Sequence, residues 1–354
     1  MNKKILFAFA LLAAVSCNEK IQESHAPAHE GRLCELSVDV TPDAGSASRS
    51  LAAYTATKNY EMAVNDVQIL IFDSAGDLAG FISSASATGN TITMAYGHKD
   101  VYAVVNGDDL SSVKTKTQLL QTSSSLGFSS TDPGVGLTMF GHAEVDVDSP
   151  TETVPVTVSR LAARVALVQL TNSLPGAYSS VTVNRMFLEN VVANQNFAGN
   201  EAPSMWWNKE GRSDANPRNE ANIINGTTHQ ATMDEFTYAQ PASLTVDNAD
   251  YTDFGGNPYL FYAYPNSSAT DPSGYHSVFA AQKTALVLDV NIGARQYYYT
   301  VVLDSLESNK TYTVALTFSG LGSDDPGKPV TKAGLTANIS VSGWGSGAIY
   351  DETI

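Results

Sequence analysis

Apolar and polar residues alternate along the stretch that runs from Cys34 to Thr41. Alternation with a period of two places one set of side chains on each face of an extended chain, so it predicts a half-buried β-strand. The residues that follow, from Pro42 to Arg49, include a proline, a glycine and several small residues and predict an exposed loop. The face of the strand that we expect to be buried carries Cys34, Leu36, Val38 and Val40.

The strand and its loop have two interpretations. In the first, they are an ordinary first strand and a surface loop that carries one arginine. In the second, a protease cuts between Arg49 and Ser50, the strand leaves, and the groove receives a strand from another molecule, as in donor-strand complementation. The buried side chains would contribute roughly 6–10 kcal/mol, which is comparable to the stability of a whole domain. An empty groove would therefore be unstable, and refilling it would favour assembly.

Further along the chain, short β-type runs separated by turn residues predict an all-β protein. One short helix is expected after Asn106–Asp109, with apolar positions between Leu110 and Leu120. Near the C-terminus, polar residues alternate with a second apolar set and repeat the pattern of the first strand. This set is Leu335, Ala337, Ile339 and Val341. The other predicted strands are 64–72, 78–82, 91–94, 101–105, 137–141, 154–158, 181–188, 284–292, 296–303 and 309–319. The residues from Ser50 to Glu61 are expected to form a linker.

Length and charge limit the classes of protein to consider. The chain has 354 residues, which favours two β domains over one. Hydrophobic residues make up 43% of the chain, enough to build real cores. The net charge of −16 argues against nucleic-acid binding, because no basic patch is available to meet phosphate.

The first 17 residues have the features of an export signal. Lys3 and Lys4 precede an apolar run that is too short to span a bilayer. The run ends in Ala14–Cys17, which resembles the lipobox of bacterial lipoproteins, where the cysteine is acylated. Two or three acyl chains would hold the precursor durably in a membrane; the alternative is a plain secretory signal with an incidental cysteine. Cys34 is then expected to be a small buried apolar residue without a disulfide partner.

Two further features concern ligands and chemistry. Trp206 and Trp207 are adjacent in a loop-rich region, where exposed indole rings could stack on sugars or anchor an interface. The alternative is that one or both cover the core beneath a long loop. The sequence has no Gly-x-Ser-x-Gly, His-Glu-x-x-His or phosphate-loop motif. We therefore expect no enzyme activity, no cofactor and no metal site.

A series of motifs gives a family resemblance. The residues from Val156 to Leu167 read Val-x-Val-x-Arg-x-x-Ala-Arg-Val-x-Leu. This pattern resembles the junction between the two domains of the fimbrillins, the type V pilins of Bacteroidota. Other segments resemble fimbrillin strands in the same order along the chain: 102–106, 139–141, 261–266, 310–326 and 339–344.

The resemblance implies a fold and a processing route. It implies two tandem transthyretin-like β-sandwich domains, which we place at 50–158 and 159–354, after a lipoprotein signal at 1–17 and a propeptide at 18–49. It also implies that an Arg-specific protease removes the first strand and that the C-terminal strand of another subunit fills the groove. Arg49 stands where that cleavage is expected. Cleavage at Arg32 would leave the strand in place, and Arg160 and Arg164 lie in predicted strands, where a protease cannot easily bind extended backbone.

The same resemblance implies a location and partners. We expect a structural subunit of a surface fimbria, assembled with other copies of itself and with related subunits, whose precursor is anchored in the outer membrane by lipid on Cys17. The donor strand would include Leu335, Ala337, Ile339 and Val341. The alternative is that these residues form the last strand of their own domain, and both can hold if one part stays folded in place while the tail from Gly345 to Ile354 extends outward. The alternative function is a fimbrial tip adhesin or a surface glycan-binding lipoprotein. Such a protein would use Trp206 and Trp207 to contact glycans or proteins on host or bacterial surfaces.

Overall fold

A computed structural model describes residues 31–43, 59–126, 136–210, 223–225, 228–229, 238–239, 244–254, 257–268, 282–324, 334–344 and 352–353. The predicted lipidation site at Cys17 and the predicted cleavage site between Arg49 and Ser50 lie outside these residues. Within them, no helix has both the length and the apolar character that a membrane crossing requires.

The first half of the chain is built from long strands and two short helices. The helices are α1 (Asn59–Met62) and α2 (Lys116–Gln121). The strands are β1 (Leu33–Pro42), β2 (Val67–Asp73), β3 (Leu78–Ser84), β4 (Asn90–Ala95), β5 (Gly97–Val105), β6 (Ser123–Ser125), β7 (Met139–Val147) and β8 (Thr151–Arg160).

The second half is described as strands alone. They are β9 (Ala163–Asn172), β10 (Ser180–Glu189), β11 (Val191–Val192), β12 (Asn194–Asn196), β13 (Trp206–Trp207), β14 (Lys209–Glu210), β15 (Ile223–Asn225), β16 (Thr228–His229), β17 (Tyr238–Ala239), β18 (Leu244–Asp247), β19 (Tyr251–Asp253), β20 (Tyr259–Ala263), β21 (Ala285–Ile292), β22 (Arg295–Val302), β23 (Lys310–Phe318), β24 (Leu335–Gly343) and β25 (Glu352–Thr353).

The first sandwich is one seven-stranded sheet that folds back on itself. Its order is β3-β2-β5-β7-β8-β1-β4. The fold-over lies between β7 and β8, which share only the pairs Met139–Arg160 and Phe140–Ser159. Gly141 follows directly, and a Cβ there would lie 2.1 Å from the carbonyl oxygen of Thr157. The close approach of the two strands therefore requires glycine in the Met-x-Gly motif.

The second sandwich has two facing sheets. One has the order β17-β10-β21-β22 with β18 beside β10, and the other has the order β19-β9-β23-β24-β25 with β20 beside β9. Buried residues from both sheets form a single hydrophobic cluster, which continues into the outer face of β2 and β5 through Leu70 and Val104. The core of the first sandwich is a separate cluster that includes the buried face of β1. The predicted fold class, two β-sandwiches with a short helix in the first, is confirmed. The exact domain boundaries remain a prediction.

The short helix lies later in the chain than the sequence indicated. Its N-cap is Thr115, which forms a capping box with Gln118. Asn106 was expected to help begin this helix, but it adopts a positive φ of 52° at the end of β5. Its side chain donates to the carbonyl oxygens of Ala63 and Leu137, at 2.7 and 3.1 Å. An asparagine that satisfies neighbouring backbone groups was thus mistaken for a helix cap.

Candidate assembly site: the first strand and its groove

Strand β1 lies between two strands and pairs with both. It runs parallel to β8 from Glu35–Thr151 to Pro42–Val158. It runs antiparallel to β4 from Leu33–Ala95 to Val38–Asn90. Among the described residues, β4 has no other registered strand partner. Loss of β1 would therefore leave two facing edges of unpaired backbone donors and acceptors.

The buried face of β1 is the one that the alternation predicts. Leu36 and Val38 are completely buried, and Cys34 and Val40 are at most 2% exposed. They pack in the core of the first sandwich against apolar residues of β2, β5 and β8. Of the intervening residues, Glu35 and Thr41 are exposed, and Ser37 and Asp39 are half-buried. The strand therefore contributes one continuous apolar row to the core, and its removal would open a groove along that row.

Cys34 acts here as an apolar residue. Burial raises the pKa of its thiol, and the nearby Glu152 raises it further by charge repulsion. The thiolate is the reactive form of cysteine, so a raised pKa keeps this side chain neutral and inert. This agrees with the predicted role as a small buried residue.

The C-terminal end of β1 is tied to both halves of the chain. The amide of Asp43 donates to the carbonyl oxygen of Val158, at 2.8 Å. The carbonyl oxygen of Asp43 accepts from Nη1 of Arg160 at 3.2 Å, and Oδ2 accepts from Nδ2 of Asn309 at 2.8 Å. Arg160 Nη1 also donates to Oδ1 of Asn309, at 3.1 Å. The end of the first strand thus contacts the end of β8 and the start of β23.

A buried ion pair lies beside this end. Nη1 of Arg164 donates to both carboxylate oxygens of Glu61, at 3.0 and 2.9 Å, and both side chains are completely buried. Tyr262 donates its hydroxyl to Glu61 Oε1 at 2.7 Å, and Arg164 Nε donates to the hydroxyl of Thr311 at 3.1 Å. These bonds matter because a buried charge without partners is strongly destabilising. Glu61 belongs to α1, where the sequence analysis placed only a linker.

An aromatic platform completes this group of residues. The guanidinium groups of Arg160 and Arg164 lie 4.9 and 4.8 Å from the ring centre of Trp344, which is completely buried. Tyr262 stacks on the same indole at 5.8 Å. Burial lowers the pKa of Arg160 to about 10, although the charge of Glu61 opposes this shift. Arg160 therefore remains charged at neutral pH. We call this group the junction cluster: Asp43, Glu61, Arg160, Arg164, Tyr262, Asn309 and Trp344.

Sequence reasoning missed the junction cluster, although a signal for it was present. Arg160 and Arg164 stand in an otherwise apolar run, and charged residues are almost never fully buried unless they are paired. The sequence therefore implied acidic or polar partners for them. It could not identify those partners, because Glu61 and Tyr262 are about 100 residues away on either side. The expectation that both arginines are inaccessible to a protease agrees with their burial.

The predicted donor residues lie in a strand of the chain's own second sandwich. Leu335, Ala337 and Ile339 of β24 are buried, and Val341 is half-buried. The strand pairs along its length with β23, from Lys310–Gly343 to Phe318–Leu335. Its other edge pairs with β25 at only two positions, Asn338–Thr353 and Ile339–Glu352. Most of that edge is therefore without a registered partner among the described residues.

The two tryptophans of the predicted ligand site differ in exposure. Trp206 is 5% exposed and belongs to the main hydrophobic cluster, which favours the alternative that it covers the core. Trp207 is half-buried and packs against the same cluster. Both lie in β13, which pairs with β11. Only Trp207 keeps part of its surface available for a ligand.

One group of side chains has the composition of a metal site. Ligand atoms of Asp100, His142 and Glu144 lie within 4.8 Å of one another. The carboxylate of Asp100 already accepts from Nζ of Lys116, at 2.8 Å, and bonds to Nε2 of His142, at 3.1 Å. Burial raises the pKa of Asp100, but these two partners outweigh that effect and hold it below its usual value. An ion pair with lysine explains the arrangement, and we assign no metal to it.

A protein-family match covers part of this chain, whereas solved structures match most of it. Among curated proteins, no sequence matches it significantly. A family match begins at Cys34, the first buried residue of β1, and ends in β9. Residues 34–163 match the family of the major fimbrial subunit protein (FimA). The resemblance to fimbrillins that the motifs indicated is thereby confirmed.

Solved structures extend the likeness to the whole fold. A candidate cell adhesion protein from Parabacteroides distasonis has a TM-score of 0.60 at 16% identity, covering 90% of this chain and 99% of its own. One from Bacteroides eggerthii has a TM-score of 0.57 at 20% identity, covering 89% and 97%. A fimbrilin from Porphyromonas gingivalis has a TM-score of 0.55 at 12% identity, covering 88% and 97%. At these identities the likeness shows a shared fold.

Proposed function

We propose that this chain is a structural subunit of a surface fimbria, made as a precursor and assembled by strand exchange. The observation that carries the proposal is the position of β1. It fills a groove between β4 and β8, supplies an apolar row to the core, and is followed by the basic residue Arg49. The family match supports the fimbrial role. The subunit would assemble with other copies of itself and with related fimbrial subunits.

Cleavage between Arg49 and Ser50 would release the whole of β1. The strand would leave with its apolar side chains, whose burial contributes roughly 6–10 kcal/mol. The exposed groove would present open edges on both sides, which favours the addition of an extended segment. A cut at Arg32 would precede β1 and leave the groove filled.

The donor would be the C-terminal strand of a neighbouring subunit. Strand β24 has nine residues and β1 has ten, so the two cover nearly the same length of groove. Leu335, Ala337 and Ile339 alternate in the same way as the buried face of β1.

Export would precede assembly. We propose that residues 1–17 direct export, that Cys17 is acylated, and that lipid holds the precursor in the outer membrane until cleavage. Residues 18–49 would then be a propeptide that ends at the Arg-specific site. The finished subunit would begin at Ser50 and reside in the fimbria.

A second candidate is a fimbrial tip adhesin or a surface glycan-binding lipoprotein. The observation that favours it is the partly exposed ring of Trp207. Such a subunit would accept a donor strand without supporting further growth of the fibre, or would function without polymerising.

Replacing Arg49 with Ala should stop assembly. The protease would no longer separate β1 from the body, so the groove would stay filled and the precursor would accumulate as a lipidated monomer. The measurement is immunoblotting of unboiled membrane fractions, with immunogold microscopy of the cell surface. Arg32→Ala is the matched control and should assemble as the natural chain does. Fibres formed by the Arg49→Ala variant would contradict the proposal.

A further inference from the structure

A pocket lies beside strand β12, and none of its lining residues belongs to β1. Its volume is about 180 Å³, and its walls come from the 192–203 segment and from the residues after β20. For comparison, an engineered cavity of about 150 Å³ holds a benzene ring. The pocket is therefore large enough for one six-membered ring and too small for a drug-sized ligand.

Three buried polar atoms belong to residues that line this pocket and have no hydrogen-bond partner among the described residues. They are Nδ2 of Asn194, Oε1 of Gln195 and Oε2 of Glu201. Asn194 is only 5% exposed. A buried donor or acceptor without a partner costs about 1–3 kcal/mol. Three such atoms around one cavity indicate a site that is completed by a ligand.

The orientation of the Asn194 amide is fixed by the backbone. Its Oδ1 accepts from the amides of Ser204 and Met205, at 2.9 and 2.6 Å. The amide oxygen is thus occupied, and the NH₂ group is the one without a partner. Strand β12 is itself held by pairing with β6. The residues that line the pocket therefore include one unsatisfied donor, on Asn194, and two unsatisfied acceptors, on Gln195 and Glu201.

The donor of Asn194 and the acceptors of Gln195 and Glu201 together favour one class of ligand over others. A divalent cation is disfavoured, because calcium takes six to eight oxygen ligands and the Asn194 NH₂ group would face it. An anion is disfavoured by the carboxylate of Glu201. A neutral ring that carries several hydroxyl groups can accept from Asn194 and donate to Gln195 and Glu201 at the same time. Pro203 and Pro265 also line the pocket and offer apolar surface to the ring carbons.

We propose that this pocket binds one sugar residue in its ring form, through Asn194, Gln195 and Glu201. The site is independent of strand exchange, because none of its residues belongs to β1 or to the junction cluster. It also places ligand binding beside the Trp206–Trp207 strand and not on the tryptophan rings themselves. The fibre surface, or a monomer, would then carry a monosaccharide site.

Saturation-transfer and titration NMR would test this on the uncleaved chain from residue 18 to 354. The probes are methyl β-galactoside, methyl α-mannoside and the methyl β-glycoside of N-acetylglucosamine. At least one should bind saturably, with a Kd on the order of 1 mM. Asn194→Asp keeps the side-chain oxygen that accepts from the backbone amides of Ser204 and Met205, but it removes the NH₂ donor. It should therefore weaken glycoside binding about tenfold or more. Glu201→Gln should weaken it as well.

The controls make the same chemical changes at exposed positions. Asn291→Asp and Glu307→Gln should bind the glycoside as the natural chain does, and thermal unfolding should show all four variants folded. The proposal is wrong if no glycoside binds, if Asn194→Asp and Glu201→Gln bind as tightly as the controls, or if calcium ions displace the glycoside. Because the uncleaved chain is used, these outcomes do not depend on whether the subunit polymerises.

Discussion

Replacing Leu36 with Ala should lower the free energy of unfolding of the precursor by about 2–5 kcal/mol and should leave the cleaved protein unchanged. Leu36 is completely buried between β4 and β8, so its truncation leaves a cavity in the first sandwich. Once the chain is cut after Arg49 and β1 departs, residue 36 no longer belongs to the folded protein. Chemical denaturation of the 18–354 and 50–354 forms measures both effects.

The control for this variant lies on the same strand. Leu33 is 62% exposed, so Leu33→Ala should change the unfolding free energy of the precursor by less than about 0.5 kcal/mol. If protease treatment of the Leu36→Ala protein yielded a product as destabilised as its precursor, the strand would have stayed in its groove. Such a result would make β1 a permanent part of the fold.

Replacing Glu61 with Gln should destabilise the precursor and the cleaved protein alike, by about 3–5 kcal/mol. The change leaves the guanidinium of Arg164 in a completely buried position without its opposite charge. Glu61 follows the cleavage site, so it stays in the finished subunit. The same denaturation experiment on both forms provides the measurement, and only the Leu36→Ala variant should show a loss of stability that differs between the forms.

Glu307→Gln is the matched control, because Glu307 is exposed and belongs to both forms. It should leave the stability of both forms unchanged within about 0.5 kcal/mol. Adding Arg164→Met to Glu61→Gln should recover much of the lost stability, since a buried pair can often be replaced by neutral side chains. A Glu61→Gln protein as stable as the natural chain would show that the ion pair contributes nothing to the junction cluster.

Local pattern was enough to predict most of the long strands. The alternation in β1 and in β24 follows from the two faces of a strand, and each depends only on neighbouring residues. The buried face of β1 was therefore predicted residue by residue, before its partners β4 and β8 were known. The strands that form the groove could not be predicted. The parallel partner of β1, β8, lies more than 100 residues further along the chain, and no local sequence pattern relates the two strands.

The errors have specific physical causes. Asn106 was interpreted as part of a helix start because asparagine favours caps, yet it bonds to the backbone at Ala63 and Leu137. Glu61 was assigned to a linker because one turn of helix carries almost no periodic signal. The Asn194 pocket left no motif at all, since its three polar atoms converge only after β12 and the loop beyond it have folded.

The measurement that tests strand exchange most directly uses the purified precursor from Asn18 and an Arg-specific protease. Intact mass gives the new N-terminus, and an unboiled denaturing gel gives the state of assembly. The proposed function predicts a product that begins at Ser50 and forms a ladder of oligomers, with no ladder from Arg49→Ala. A chain that is not cut after Arg49, or a Ser50 product that remains monomeric, would contradict it.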